Sequence, residues 1–350
     1  MSKSKYSVVY VVGAGLSAGL GFPTIARLLP ELWKRLDRKS ASDLADVVRF
    51  HHPYFDVDLC KTYPTIEQLL SEMKANADLF DSTRPAAGGF TSVELQERRS
   101  KLLHELAAWF HDLKKTALTS KPEWLGQLVT TMKNERATII SFNWDLILDQ
   151  LLFGKDLDRT SYGLGRRRTG VRLIKPHGSL NWYKGDMAGP IKEGKKFALT
   201  DGKMNSVIAF RPLRAPISRK GRKYMPLIVP PVYAKQFEGP LFRKLWQETV
   251  QVLSTASEVR FLGFSLAEAD FHARFVLRCG FYNQENGQLK RSGGRATPTG
   301  RSKVIIVDPL DEPHKRIRSV VGWQCASHKK TISAWIADGG LSHASQNAQG

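Results

Sequence analysis

Residues 8–29 read VVYVVGAGLSAGLGFPTIARLL, and the reading of the glycines in this stretch decides the fold. The Val- and Tyr-rich run 6–12 predicts a strand. Its near-continuous apolarity implies burial on both faces, as in a parallel sheet. Beyond the glycines, apolar residues at 25, 28, 29, 32, 33 and 36 make a helical stripe, with Pro30 inside it as a point of kinking. Between strand and helix, Gly13-Ala14-Gly15-Leu16-Ser17-Ala18 fits G-x-G-x-x-G/A. In that pattern a backbone free of side chains approaches a pyrophosphate, and a helix N-terminus supplies donors. A glycine-rich turn without a ligand is the competing reading. Asp37 has the spacing of the acidic residue that binds a ribose in dinucleotide folds, but it follows a helical pattern rather than a second strand.

The rest of the chain alternates in the same way. Residues 137–142, 226–231 and 303–309 read as strands, and 170–184 as strand, turn at Pro176–Gly178, strand. Residues 143–153 and 239–256 read as helices, and 258–277 as strand, turn, helix. Residues 40–135 read as helix throughout, with Thr65 and Gln68 spaced as a capping box. The polar, Gly-rich segment 282–302 reads as a mobile loop. The expectation is an α/β protein: a Rossmann-like doubly wound parallel sheet in a single domain, residues 1–336. It carries a helical insertion at 40–135, a basic loop-rich insertion at 185–225 and a disordered tail at 337–350.

Hydrophobic residues are 42% and charged residues 25% of the 350-residue chain, an ordinary globular balance. No apolar run is long enough to span a membrane, and the N-terminal lysines precede a run that reaches glycine too soon for a signal peptide. Three distant cysteines, Cys60, Cys279 and Cys325, form no C-x-x-C pair, which excludes a four-cysteine zinc ribbon and a disulfide framework. A cytoplasmic setting is expected. The net charge of +20 is the outlier. Its clusters are Arg166, Arg167, Arg168, Arg172 and Lys175; Arg211, Arg214, Arg219, Lys220, Arg222 and Lys223; and Lys290, Arg291, Arg295, Arg301 and Lys303. They point to nucleic acid or an acidic protein as partner. Few aromatics are interleaved, so base stacking is not indicated.

Polar residues recur where strands give way to turns, the ligand-binding edge of an open α/β sheet. Asn143 and Asp145 lie in SFNWD (141–145), His177 in KPHG (175–178), Gly263 and Ser265 in GFSL (263–266), and Asp308 closes the last strand. Each has a plain structural reading, Asn143 as a helix N-cap for example. Each also has a chemical one: His177 as a base near neutral pH, Gly263 and Ser265 as small phosphate donors, and Asp308 as a carboxylate for a ribose diol.

In chain order, GAGLSAGLGFP (13–23), SFNWD, KPHG, GFSL and the terminal Asp308 resemble the sirtuin superfamily. The closer likeness is to its bacterial NAD-hydrolysing branch used in anti-phage defence. The resemblance implies an NAD glycohydrolase that releases nicotinamide and ADP-ribose, with NAD as substrate and no metal. It implies that Gly13, Ala14, Gly15 and Ser17 cradle the pyrophosphate and that Pro23 lies at the nicotinamide end. Asn143 orients the ribose and the attacking water, and Asp145 supports the ribose or nicotinamide pocket. His177 is the general base, Gly263 and Ser265 bind phosphate, and Asp308 binds the adenosine ribose. It further implies a gated homo-oligomer partnered by a HerA-like ATPase or a nucleic-acid-sensing protein. The chain departs from deacylating sirtuins in lacking the four-cysteine ribbon, in FPTIARLL where they carry a P-D-F-R type stretch, and in losing the glutamine of T-Q-N-x-D. An NAD-dependent deacylase and a non-catalytic basic scaffold are the alternatives.

Overall fold

The computed structural model describes residues 7–54, 64–79, 90–165, 170–184, 196–200, 206–211, 218–219, 222–223, 226–229, 239–290 and 292–341. Six strands form the main sheet: β1 (Val8–Val12), β2 (Thr138–Ser141), β3 (Arg172–Ile174), β4 (Glu258–Leu262), β5 (Lys303–Val307) and β6 (Ala326–His328). Their spatial order is β3-β2-β1-β4-β5-β6, and every pairing is parallel. This is the doubly wound arrangement, in which the chain builds one half outward from the centre and then the other. The winding reverses between β1 and β4, and the carboxyl ends of those strands frame a crevice.

The helices are α1 (Ala14–Ala18), α2 (Ile25–Trp33), α3 (Arg38–His51), α4 (Ile66–Leu79), α5 (Ser92–Ser120), α6 (Glu123–Asn134), α7 (Ile147–Leu152), α8 (Pro240–Ser254), α9 (Phe271–Asn286), α10 (Asp311–Val321) and α11 (Ile332–Ala337). Thus the described part of 40–135 consists of helices, from α3 to α6, and short connections, with no strand. Helix α5 starts with a full capping box between Thr91 and Glu94. The box expected at Thr65 and Gln68 is half formed. The Gln68 N–H donates to Thr65 Oγ1 at 3.1 Å, while the Gln68 side chain turns to Glu72 at 3.2 Å. Helix α2 runs unbroken through Pro30.

Three expectations are corrected. The helix placed at 143–153 begins only at Ile147, because the preceding polar side chains bond elsewhere. The mobile loop placed at 282–302 is helix as far as Asn286. Beyond it, Gln284 is pinned to Leu253 O at 2.6 Å and holds the Ser302 N–H at 2.8 Å. Residues 337–341 of the expected tail complete the last helix and its turn, with Leu341 buried. The remaining tail, 342–350, lies outside the described residues, as does most of 185–225.

Buried parallel strands are usually wholly apolar, yet β4 carries Glu258 and Arg260, both inaccessible to solvent. Arg260 meets Glu258 at 2.5 Å and Glu135 at 3.0 Å and bonds the Tyr10 hydroxyl. Tyr10 in turn donates to Glu135 at 2.6 Å. Mutual pairing makes these charges tolerable inside the sheet.

The two turns at the crevice cross so closely that neither has room for a side chain. A Cβ on Gly15 would lie 2.6 Å from Gly263 Cα, and one on Gly263, at φ +56°, would lie 2.7 Å from Gly15 C and Cα. Gly263→Ala therefore combines a left-handed backbone with a backbone clash and should cost about 2–4 kcal/mol. Urea unfolding should show a lowered midpoint with an unchanged slope.

Candidate active site

The crossing fixes the first wall of the site. Gly13 N–H donates to Leu262 O at 3.2 Å, Gly15 N–H to Gly263 O at 2.9 Å and Gly263 N–H to Val307 O at 2.9 Å. The amides expected to cradle a pyrophosphate are thus partly spent on joining β1, β4 and β5. Ala14 keeps an N–H that meets no acceptor among the described residues. Gly15 and Gly263 lie beneath the cleft rather than in its wall, while Gly13, Ala14, Ser17 and Pro23 line it. The short α1 ends at Gly19, and the chain turns back with Phe22 N–H bonded to Ser17 O at 3.1 Å. This turn seats Phe22 edge-on against Phe110 of α5, 5.2 Å between ring centres.

A polar relay ties the end of β1 to the end of β2. The Asn143 amide donates to Gly13 O at 2.9 Å and to Ser17 Oγ at 3.0 Å. The Ser17 hydroxyl donates a hydrogen bond to Asp145 Oδ2 at 2.6 Å, and Asp145 Oδ1 accepts the Ile147 N–H at 3.0 Å. Both donors of Asn143 are thus committed, so what this cleft-lining side chain has left to offer a ligand is the acceptor capacity of its carbonyl oxygen. Ser17, expected as a phosphate donor, spends its hydroxyl hydrogen on a hydrogen bond to Asp145. Asp145, with both oxygens occupied, holds the relay in place.

The strap after β3 supplies the other polar wall. His177 is buried, and its Nε2 lies 3.1 Å from Asp270 Oδ2. Asp270 also caps α9 by accepting the Ala273 N–H at 3.2 Å. The imidazole sits edge-on to Phe142, 4.9 Å between centres, with Trp246 5.8 Å away. Phe142 itself stacks on Phe264. Below them Lys175, fully buried, donates to Asp145 O at 2.6 Å, Ser179 Oγ at 2.7 Å and Asp149 Oδ2 at 3.0 Å. Tyr162 gives Asp149 a second bond at 2.5 Å. Lys114 of α5 is also buried; burial pushes its ammonium down to about 8 against the pull of Asp149 and Asp145. Lys175 and the half-buried Arg172, which bonds Thr138 at 3.0 Å, are therefore not part of a surface cluster. Arg166, Arg167 and Arg168 lie outside the described residues.

Together these walls enclose a cleft of about 740 Å³ including its mouth. Of the residues read from the sequence, it gathers Gly13, Ala14, Ser17, Pro23, Asn143, Asp145, His177 and Ser265. Asp308 does not line it. Its Oδ1 accepts the Leu310 N–H at 2.9 Å, and burial raises its carboxyl above the usual range. Two carboxylates that the sequence reading passed over do line it, Asp270 and Glu67. Asp270 was legible as an N-cap after a strand-end turn. Glu67 looked like an ordinary first-turn acid beside Ile66, Leu69, Leu70 and Met73. It is buried, and its Oε2 has no hydrogen-bond partner among the described residues. Desolvation raises its carboxyl to about 7. Among the described residues no group of three or more His, Cys, Asp or Glu is placed to hold a metal. No helix among them is long and apolar enough to cross a membrane.

No protein-family model matches the sequence, and no curated protein matches it. Solved structures similar to the chain include a Sir2 homolog–NAD complex, 13% identical over 99% of this chain and 91% of that one, TM-score 0.46. A mutant Sir2 homologue bound to ADP-ribose is 13% identical over 99% and 94%, TM-score 0.45. Sir2Tm bound to a propionylated peptide is 15% identical over 96% and 94%, TM-score 0.32.

Glu67 links the site to stability. Unfolded, its carboxyl titrates near 4.5; folded, near 7. Between those values the folded chain holds a proton that the unfolded chain has released, so stability falls as pH rises through the window. Glu67→Gln should match the wild type near pH 4. Above pH 7 it should be more stable by up to about 3 kcal/mol, at about 1.4 kcal/mol per pK unit. Thermal melts across pH measure this directly.

Proposed function

We propose that the cleft hydrolyses the bond between nicotinamide and ribose in NAD, giving nicotinamide, ADP-ribose and a proton. The observation that carries this reading is the Asn143 amide, fixed by Gly13 and Ser17 in the wall of a cleft that the buried His177–Asp270 pair also lines. Cleaving a glycosidic bond of this kind develops positive charge on the ribose, and water must then be held and deprotonated at the anomeric carbon. Asn143 Oδ1 accepts a hydrogen of that water and does not titrate while doing so. His177 takes the proton that the water loses. Asp270 fixes the ring with its proton on Nε2 and stabilises the imidazolium that forms. Ala14 N–H and the exposed Ser265 are the groups that face the phosphates.

Free NAD hydrolysis drains a shared cofactor, so this activity belongs to an enzyme held inactive until triggered. With the sequence resemblance, we read the chain as the gated effector of a bacterial anti-phage system. In this reading it works as a cytoplasmic homo-oligomer with a HerA-like ATPase or nucleic-acid-sensing partner, and its remaining surface lysines and arginines serve as contacts.

Nicotinamide release, measured in cells under trigger conditions or with the reconstituted assembly, tests the assignment. Asn143→Ala and His177→Ala should each slow release by about 10²–10⁴-fold, with folding intact by circular dichroism. Equal NAD loss in wild type and Asn143→Ala overturns the mechanism. Release that requires an acyl-lysine peptide makes the chain a deacylase, and binding without release makes it a scaffold.

A further inference from the structure

We infer that Glu67 pairs as a carboxylate with the cationic pyridinium ring of NAD, so that the cleft selects the oxidised, positively charged dinucleotide. This rests on the NAD reading above and assigns a residue of the helical region to ligand charge.

The first support is the composition of the wall. The chain carries a net charge of +20, yet no Lys or Arg lines the cleft among the described residues, while three carboxylates do. Asp145 and Asp270 are bonded to Ser17, Ile147, His177 and Ala273. Among the described residues, Glu67 alone of the three has a buried oxygen with no protein donor. A buried acceptor without a partner is costly, and its retention in a ligand cleft calls for a ligand group that satisfies it. The second support is shape. The helices packed against α4 bring Ile25, Leu28 and Phe110 to the same cleft as Glu67, with Phe22 edge-on to Phe110, and such apolar and aromatic side chains suit a flat ring. A cationic ring placed there neutralises the carboxylate where water does not.

The neighbouring charges leave this role open. On the helices packed against α4, Arg27 pairs with Glu31 at 2.5 Å on α2. Arg49 pairs with Asp46 on α3 at 3.4 Å, and at the end of α3 His52 pairs with Glu72 of α4 itself at 2.9 Å. Beside these stand His51 on α3, His104, His111 and Lys114 on α5, and Asp145, His177 and Asp270 in the cleft. None of these shifts Glu67, whose titration is moved by burial and opposed only by its backbone bond. When the glycosidic bond breaks, the ring leaves as neutral nicotinamide and the pairing ends, which favours its departure.

Calorimetric titration of the full chain with NAD, NADH and ADP-ribose, at pH 6 and pH 8, tests this, with nicotinamide release followed in the same samples. Wild type should bind NAD over NADH by about tenfold at pH 8, and the preference should shrink at pH 6. Near pH 6, NAD binding should release protons into the buffer. Glu67→Gln should bind NAD and NADH alike at both pH values, while its affinity for ADP-ribose, which lacks the ring, stays unchanged and reports an intact fold. An unchanged NAD preference in Glu67→Gln overturns the inference, and so does an equal loss of NAD and ADP-ribose affinity. Failure of wild type to bind either NAD or ADP-ribose instead removes the nucleotide reading, and this inference with it.

Discussion

Two backbone turns, one after β1 and one after β4, press against each other with no side chain between them. The rest of the site depends on this contact. Gly13 and Gly15 give their N–H groups to the β4 turn, Gly263 gives its own to β5, and the strand ends are held in register to the rim of the sheet. With that rim fixed, Gly13 O becomes a rigid acceptor, and Asn143 is oriented by it. A glycine-rich turn expected to leave space for a ligand instead uses most of that space for another piece of chain.

Above this contact the site is arranged so that most polar groups are already occupied. Asn143, Ser17 and Asp145 form one chain of hydrogen bonds, and His177 and Asp270 form a second. Lys175 and Tyr162 satisfy Asp149 beneath both. Preorganisation of this kind removes reorganisation cost at the moment charge develops. It also makes exceptions informative, since among the described residues few lining groups remain for a ligand, chiefly the Asn143 carbonyl, the Ala14 amide, the exposed Ser265 and the Glu67 carboxyl.

The fold was legible because its signals are local. Apolar strands ending in Gly13, Asn143, His177 and Gly263 marked the parallel sheet and the edge where its polar residues gather. Boundaries failed where side chains competed with backbone bonding. Asp145 draws the Ile147 N–H and delays α7, and Gln284 staples a segment whose composition reads as loop. Asp308 has the right strand-end position, but its carboxylate turns to its own loop. Glu67 was illegible for a different reason. Its sequence neighbours describe an amphipathic helix and carry no sign of which helix edge meets the cleft, since that depends on how α4 lies against α2 and α5.

The order in which the chain is made bears on when the site exists. β1 pairs with β4 from Val8 opposite Glu258 to Val12 opposite Leu262, so the central contact of the sheet joins segments about 250 residues apart. At roughly 5–20 residues per second of synthesis, the first strand waits on the order of 10–50 s for its partner. Contacts of such long range form late and slow the folding of the whole. Until β4 emerges, the first turn lacks the backbone that positions it, and His177 lacks Asp270. Nascent and truncated chains that stop short of this point therefore contain Asn143 and His177 without the contacts that hold them in one cleft.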